Sequence, residues 1–273
     1  MVIVKQYSGL VSLLLFLLCA IPEHSVAQTT YKKLVWADEF NTDGLPDSIR
    51  WSYDKGRGCP VNCGWGNQEA QFYTWNRKKN ARVENGKLIL EAHLENWEDA
   101  RYTSTRLVSK NKGDWKYGRI EVRAQLPKGT GIWPAIWMLP TDNQYGIWPK
   151  SGEIDIMEFV GYYPDSVFGT VHTEAYNGMR GTQKVKGITL NSLSTAFHTY
   201  AIEWNEKSIS FYVDKQRINY FENDGKGSAT WPYDQRFHLL LNIAVGGGWG
   251  GKYGIDDSIF PQQLVIDYVR VYQ

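Results

Sequence analysis

Polar and apolar residues alternate through Tyr117-Gly118-Arg119-Ile120-Glu121-Val122-Arg123-Ala124-Gln125-Leu126. A period of two sends successive side chains to opposite faces, so the segment predicts a β-strand with one face buried. Further strands are predicted over 87–93, 167–172, 198–204, 208–214, 237–244 and 264–272, mostly short, rich in Val, Ile, Tyr, Phe and Trp, and bounded by Gly, Pro, Asn or Asp. Past residue 27, no segment sustains a 3.6-residue period over three turns. Short strands with turn signals at roughly every dozen residues predict an all-β fold, a sandwich or a barrel. Leu34-Val35-Trp36 and Val269-Arg270-Val271-Tyr272 also read as strands, which ties both ends into the sheets. Residues 28–273 carry no linker, repeat or low-complexity stretch and are read as a single domain.

The first 27 residues follow a different pattern. Lys5 precedes an apolar run from Leu10 to Ile21, and Ser25-Val26-Ala27 offers small residues for cleavage. This is the pattern of an export signal, with Gln28 as the expected mature N-terminus and a secreted or periplasmic destination. The run is too short to span a bilayer, so no membrane anchor is expected. A lipoprotein reading through Cys19 lacks the small residue expected just before a lipidated Cys. The other two cysteines, Cys59 and Cys63, lie in one loop, and in an oxidising compartment a local disulfide is expected. Two free thiols are the alternative; a zinc site would need about four ligands, and no second Cys pair or His cluster exists.

Thirty Lys and Arg against 29 Asp and Glu leave a formal charge of +1, which excludes a nucleic-acid partner held by bulk electrostatics. Aromatic content is high at 14%, and all 12 Trp lie beyond the signal, which matters once the acids are located.

Candidate chemistry concentrates in Gly152-Glu153-Ile154-Asp155-Ile156-Met157-Glu158-Phe159-Val160-Gly161. Alternation puts Glu153 and Asp155 on one face and Ile154 and Ile156 on the other. A regular strand would drive Glu158 into the core, where a lone carboxylate is costly. One extra residue, a β-bulge around Met157, returns Glu158 to the face of the other acids. Glu153 and Glu158 are then four strand steps apart, about 13 Å between backbones. Side chains leaning together close most of that gap, which fits the ~5–5.5 Å of a retaining glycosidase pair better than the ~6.5–9.5 Å of an inverting one. Crowding three acids also predicts that at least one keeps its proton near neutral pH. Acids facing solvent, or a cation site built from the same carboxylates, are the competing readings. Trp133, Trp137 and Trp148 lie close by in sequence, and indole faces suit sugar rings, although core packing explains any single Trp as well.

The acid motif resembles the signature of glycoside hydrolase family 16, in its laminarinase-like branch with the extra residue. Trp36-Ala37-Asp38-Glu39-Phe40, Gly64-Trp65-Gly66-Asn67-Gln68-Glu69, Tyr102-Thr103-Ser104-Thr105-Arg106-Leu107, Gly169-Thr170-Val171-His172-Thr173, Asn242-Ile243-Ala244-Val245-Gly246-Gly247 and Ile266-Asp267-Tyr268-Val269-Arg270-Val271-Tyr272 are similar to that branch in the same order. The resemblance implies a β-jelly-roll sandwich of two antiparallel sheets, concanavalin A-like, with a concave substrate cleft. It implies a nucleophile at Glu153, a general acid/base at Glu158, and an acid at Asp155 that hydrogen-bonds the nucleophile. Asn67, Arg106, Trp133, Trp137 and His172 match sugar-lining positions, with Trp148 and Trp249 as further candidates. Glu39, the backbone of Gly86 and Asp267 match the ligands of a structural Ca²⁺, whereas catalysis needs no cofactor.

The expected activity is that of a secreted endo-β-1,3-glucanase, acting as a monomer on laminarin-like β-1,3-glucan with net retention. The same scaffold resembles enzymes for mixed-linkage glucan, agar, porphyran and carrageenan. No basic cluster flanks the acids, which favours a neutral polymer. A non-catalytic β-glucan-binding protein is the other class, and such relatives usually lack the two glutamates present here.

Overall fold

The computed structural model describes residues 31–273. The export signal over 1–27, the cleavage before Gln28 and Cys19 lie outside the described residues. The chain begins with β1 (Leu34–Asp38), β2 (Ser52–Asp54), β3 (Gln71–Tyr73), β4 (Ala81–Glu84), β5 (Lys87–Trp97) and β6 (Ala100–Ser104). It continues through β7 (Arg106–Val108), β8 (Asp114–Trp115), β9 (Gly118–Gln125), β10 (Ile132–Pro140), β11 (Glu153–Phe159) and β12 (Ser166–His172). The last third holds β13 (Lys184–Thr189), β14 (His198–Trp204), β15 (Ser208–Val213), β16 (Gln216–Glu222), β17 (Phe237–Val245) and β18 (Gln262–Tyr272).

These strands form the two sheets of a jelly-roll sandwich. One runs β16-β15-β14-β9-β18-β5-β6-β3, with β1 on β18 and β4 on β5; the other runs β13-β12-β11-β10-β17-β7-β2, with β8 on β17. Strand β9 shows why patterning works here. Its Ile120, Val122 and Ala124 are buried, while Arg119, Glu121 and Arg123 face outward. Ile136, Met138, Ile154, Phe159, Leu239 and Leu241 of the second sheet join Ile120, Val122, Ile202 and Val269 of the first in one core. Burying such side chains contributes about 1.5–3 kcal/mol each. β1 pairs with β18, so both described ends are tied in as expected. One pairing departs from the antiparallel expectation: β3 lies parallel to β6.

Candidate active site

Strand β11 carries the bulge. Against β12, Asp155 pairs with Thr170 and Glu158 with Phe168, so two residues of β11 face one of β12. Against β10, Asp155 pairs with Trp137 and Met157 with Ile136, which leaves Ile156 over. The apolar pair takes up the distortion: Ile156 and Met157 both sink into the core beside Ile154 and Phe159. Glu153, Asp155 and Glu158 consequently share the outer face of the second sheet. The flanking glycines fix the ends. Gly152 has φ +84°, and a Cβ there would meet Pro232 at 2.8 Å. A Cβ on Gly161 would come within 1.7 Å of the Gly129 carbonyl oxygen.

Neighbouring strands fill the same face. Trp133, Ala135 and Trp137 come from β10, Asn242 from β17, Arg106 from β7, and Phe168, Thr170 and His172 from β12. Three strand spacings, about 14 Å, separate the acids from Arg106.

Burial raises the pKa of Asp155 well above the usual carboxylate range; the charges of Glu153 and Glu158 push the same way, and His172 opposes them. Burial also raises Glu158, reinforced by Glu153 and moderated by His172 and by Thr170, whose hydroxyl donates to Glu158 Oε2 at 3.0 Å. A carboxyl that holds its proton this way is suited to general acid work. Glu153 instead accepts from the Trp148 indole Nε1, at 2.5 Å.

His172 stands opposite Glu153 in the ladder, with Nε2 3.3 Å from Asp155 Oδ2. Burial disfavours a charged ring, but the Asp155 contact and the three carboxylate charges outweigh it and push the pKa up to about 10. One contact resists the second proton: the Gly178 amide donates to Nδ1 at 3.1 Å, which requires a bare nitrogen there. The proton then sits on Nε2, facing Asp155. Ligand atoms of Glu153, Asp155 and His172 lie within 4.8 Å of one another, as in a metal site. With Nδ1 taken by an amide and Nε2 protonated, however, the imidazole has no lone pair to give a metal. Tyr233 supports the arrangement from beneath, its hydroxyl on the His172 carbonyl at 2.8 Å.

A second cluster faces Arg106. The Trp137 indole donates to Asn242 Oδ1 at 2.7 Å, Asn242 Nδ2 to the Tyr73 hydroxyl at 3.1 Å, and Gln71 Nε2 to Glu69 Oε2 at 2.6 Å. Asn67 Nδ2 donates to Glu69 Oε1 at 3.2 Å. Arg106 is buried over the Trp65 ring at 3.8 Å, with Nε 2.9 Å from Asp54 Oδ2. Trp65 and Gln68 hold φ of 54° and 58°, a left-handed conformation that costs non-glycine residues energy and concentrates at functional sites. The Cys59–Cys63 disulfide closes the loop leading into this segment. At the Glu158 end, Trp249 meets Trp133 at 5.5 Å and Phe168 at 5.6 Å between ring centroids. Toward the other end, a cavity of ≈ 240 Å³ opens among Asp54, Leu139, Trp148, His238 and Leu240.

Glu153, Asp155 and Glu158, with His172 and each expected Trp, therefore lie on this face or at its rim, with Asn67 and Arg106. Glu69, Gln71, Tyr73, Phe168, Thr170, Tyr233 and Asn242 were missed. Glu69, Thr170 and Asn242 stood inside the segments that resemble the family without being singled out, and Asn242 is also the one amide in the buried run Phe237–Val245.

The expected calcium ligands do not fit an open cation site. Arg270 grips both oxygens of Glu39, at 2.8 and 2.9 Å. A bulge at Asp267 turns its carboxylate to Arg123 and to Lys87, whose ammonium lies 2.7 Å from Asp267 Oδ1 and 3.4 Å from the Gly86 carbonyl. The Lys87 ammonium thus bridges two of the three groups that were to hold the ion, and Arg270 holds the third.

Residues 68–270 match the pattern of Glycosyl hydrolases family 16. A β-glucanase of Rhodothermus marinus is 53% identical over 248 residues, which cover 88% of this chain and 85% of that protein. The solved laminarinase of Rhodothermus marinus superimposes with a TM-score of 0.85 at 52% identity, covering 88% of this chain and 97% of its own. A non-specific endo-β-1,3(4)-glucanase, solved with 1,3-β-D-cellobiosyl-glucose at its active site, gives a TM-score of 0.85 at 45% identity and covers 90% of this chain and 96% of its own.

Proposed function

This chain belongs to glycosyl hydrolase family 16, and from that premise we infer that it is a secreted endo-β-1,3-glucanase that cleaves laminarin-like glucans with retention. The observation that carries the reading is the bulge, which sets a proton-holding Glu158 on the same face as Glu153. The Glu153 carboxylate attacks the anomeric carbon while Glu158 protonates the departing glycosidic oxygen. A glycosyl ester on Glu153 results. Glu158, now ionised, takes a proton from water, and the hydroxide formed releases the sugar and regenerates both glutamates. Trp148 positions Glu153 through its indole N–H, and Asp155, held by His172, stabilises the nucleophile's neighbourhood. Trp133, Trp137 and Trp249 offer faces to sugar rings, while Asn67 and Arg106 meet hydroxyls further along the groove. Export is supported by the Cys59–Cys63 bridge, a bond of oxidising compartments; N-terminal sequencing of the secreted protein should begin at Gln28.

Reducing-sugar release from laminarin tests the activity. Glu153→Gln and Glu158→Gln should each lose orders of magnitude in rate, and azide added to Glu158→Gln should yield a β-glycosyl azide. Wild-type turnover by either variant contradicts the assignment. Mixed-linkage glucan is a second substrate class, favoured by the 0.85 superposition on a non-specific endo-β-1,3(4)-glucanase. A panel of lichenan, agarose and carrageenan beside laminarin separates the substrates.

A further inference from the structure

Aromatic residues continue past Trp249. Four residues on, Tyr253 meets Tyr162 at 5.0 Å between ring centroids, and Tyr162 meets Tyr163 at 4.7 Å. Tyr162 and Tyr163 belong to the hairpin between β11 and β12, directly beyond Glu158, and Tyr253 to the turn that follows β17. Tyr163 is 46% exposed and Tyr253 63% exposed. Three touching rings, two of them open to water, cover no part of the core, and packing alone does not account for them.

We propose that Tyr162, Tyr163 and Tyr253 form an outlying sugar-binding platform that holds a β-glucan chain where it leaves the cleft on the Glu158 side. The proposal rests on the glucanase reading above and adds a site to it. Position names the occupant: the Gly161 amide bonds to Ile132, the neighbour of Trp133, and the Lys252 amide to Trp249, so both turns stand at the end where Trp133 and Trp249 stack, and a polymer leaving the groove there meets the tyrosines next. Tyrosine rings pack on sugar C–H faces, and their hydroxyls bond sugar hydroxyls. The base is rigid before the ligand arrives. The Gly161 amide donates to the Ile132 carbonyl at 2.9 Å, and Gly161 lies too close to Gly129 for any side chain. The Lys252 amide donates to the Trp249 carbonyl at 3.2 Å, folding Tyr253 back over the turn. A prebuilt platform loses little freedom on binding.

The test compares a polymer that reaches the platform with a substrate that does not. In a Tyr163→Ala/Tyr253→Ala variant, the ratio of kcat/KM on laminarin to kcat/KM on the shortest cleavable laminari-oligosaccharide should fall about fivefold, the scale of one lost aromatic contact. In a Glu153→Gln background, the same pair should weaken retardation in laminarin-containing gels. Tyr163→Phe/Tyr253→Phe keeps the rings and should restore most of the ratio, and a melting curve establishes that each variant folds. A ratio within twofold of wild type in the alanine variant overturns the platform and leaves the glucanase reading standing. A wild type that releases no reducing sugar from laminarin overturns both.

Discussion

Ionising Glu158 costs free energy that its surroundings only partly return. Burial and the charge of Glu153 hold the proton on, against the Thr170 hydroxyl and His172. Its folded-state pKa therefore lies above the unfolded one, and between the two the folded chain binds the extra proton. Stability falls as pH rises through that window. Glu158→Gln removes the loss, so at about pH 7 its Tm should exceed wild type by a few degrees even as activity disappears, and below about pH 4 the two should melt together. A lower Tm for the variant at neutral pH would show that the carboxylate is a stabilising group instead. At this scale the sequence disclosed the acids because carboxylates in an apolar strand are conspicuous. It could not disclose the Gly178 amide that selects the His172 tautomer, or the Tyr233 hydroxyl beneath it. Both contacts come from loops whose path depends on the finished fold.

Strand β11 shows what one surplus residue does. Deleting Met157 should restore regular pairing with Glu158 still beside Glu153 and Asp155, because Glu153-Ile154-Asp155-Ile156-Glu158 then alternates without a surplus residue. We expect a loss of roughly 2–5 kcal/mol in urea denaturation, the cost of removing a buried Met side chain, with activity retained. A deletion variant that folds but has lost all activity would mean that alternation alone does not place Glu158 beside Glu153. The bulge was legible because regular alternation left Glu158 on an impossible face. β9, β14 and β17 were legible for the complementary reason, that their own pattern matches their burial. β13 was not: Lys184–Thr189 is exposed almost throughout and is a strand only because β12 offers it an edge. β10 carries Pro134 and Pro140, which argue against a central strand, yet it pairs with β17 along its whole length.

Across the whole molecule the two sheets divide the labour. The second carries the acids and aromatics, and the first closes the core and lines its outer face with ion pairs such as Arg119–Glu203 and Arg123–Asp267. With Lys87 bridging Asp267 and the Gly86 carbonyl, EDTA should leave Tm unchanged; a drop reversed by calcium would show that an ion displaces the ammonium. Residue matching missed this, because Glu39, Gly86 and Asp267 are all present and only their cationic neighbours change the outcome. With Glu153 and Glu158 on one face across a single bulge, cleavage should proceed with retention. Proton NMR of the first product formed from laminarin reads that outcome directly, before mutarotation mixes the anomers. The β-anomer should appear first; initial release of the α-anomer would contradict the account.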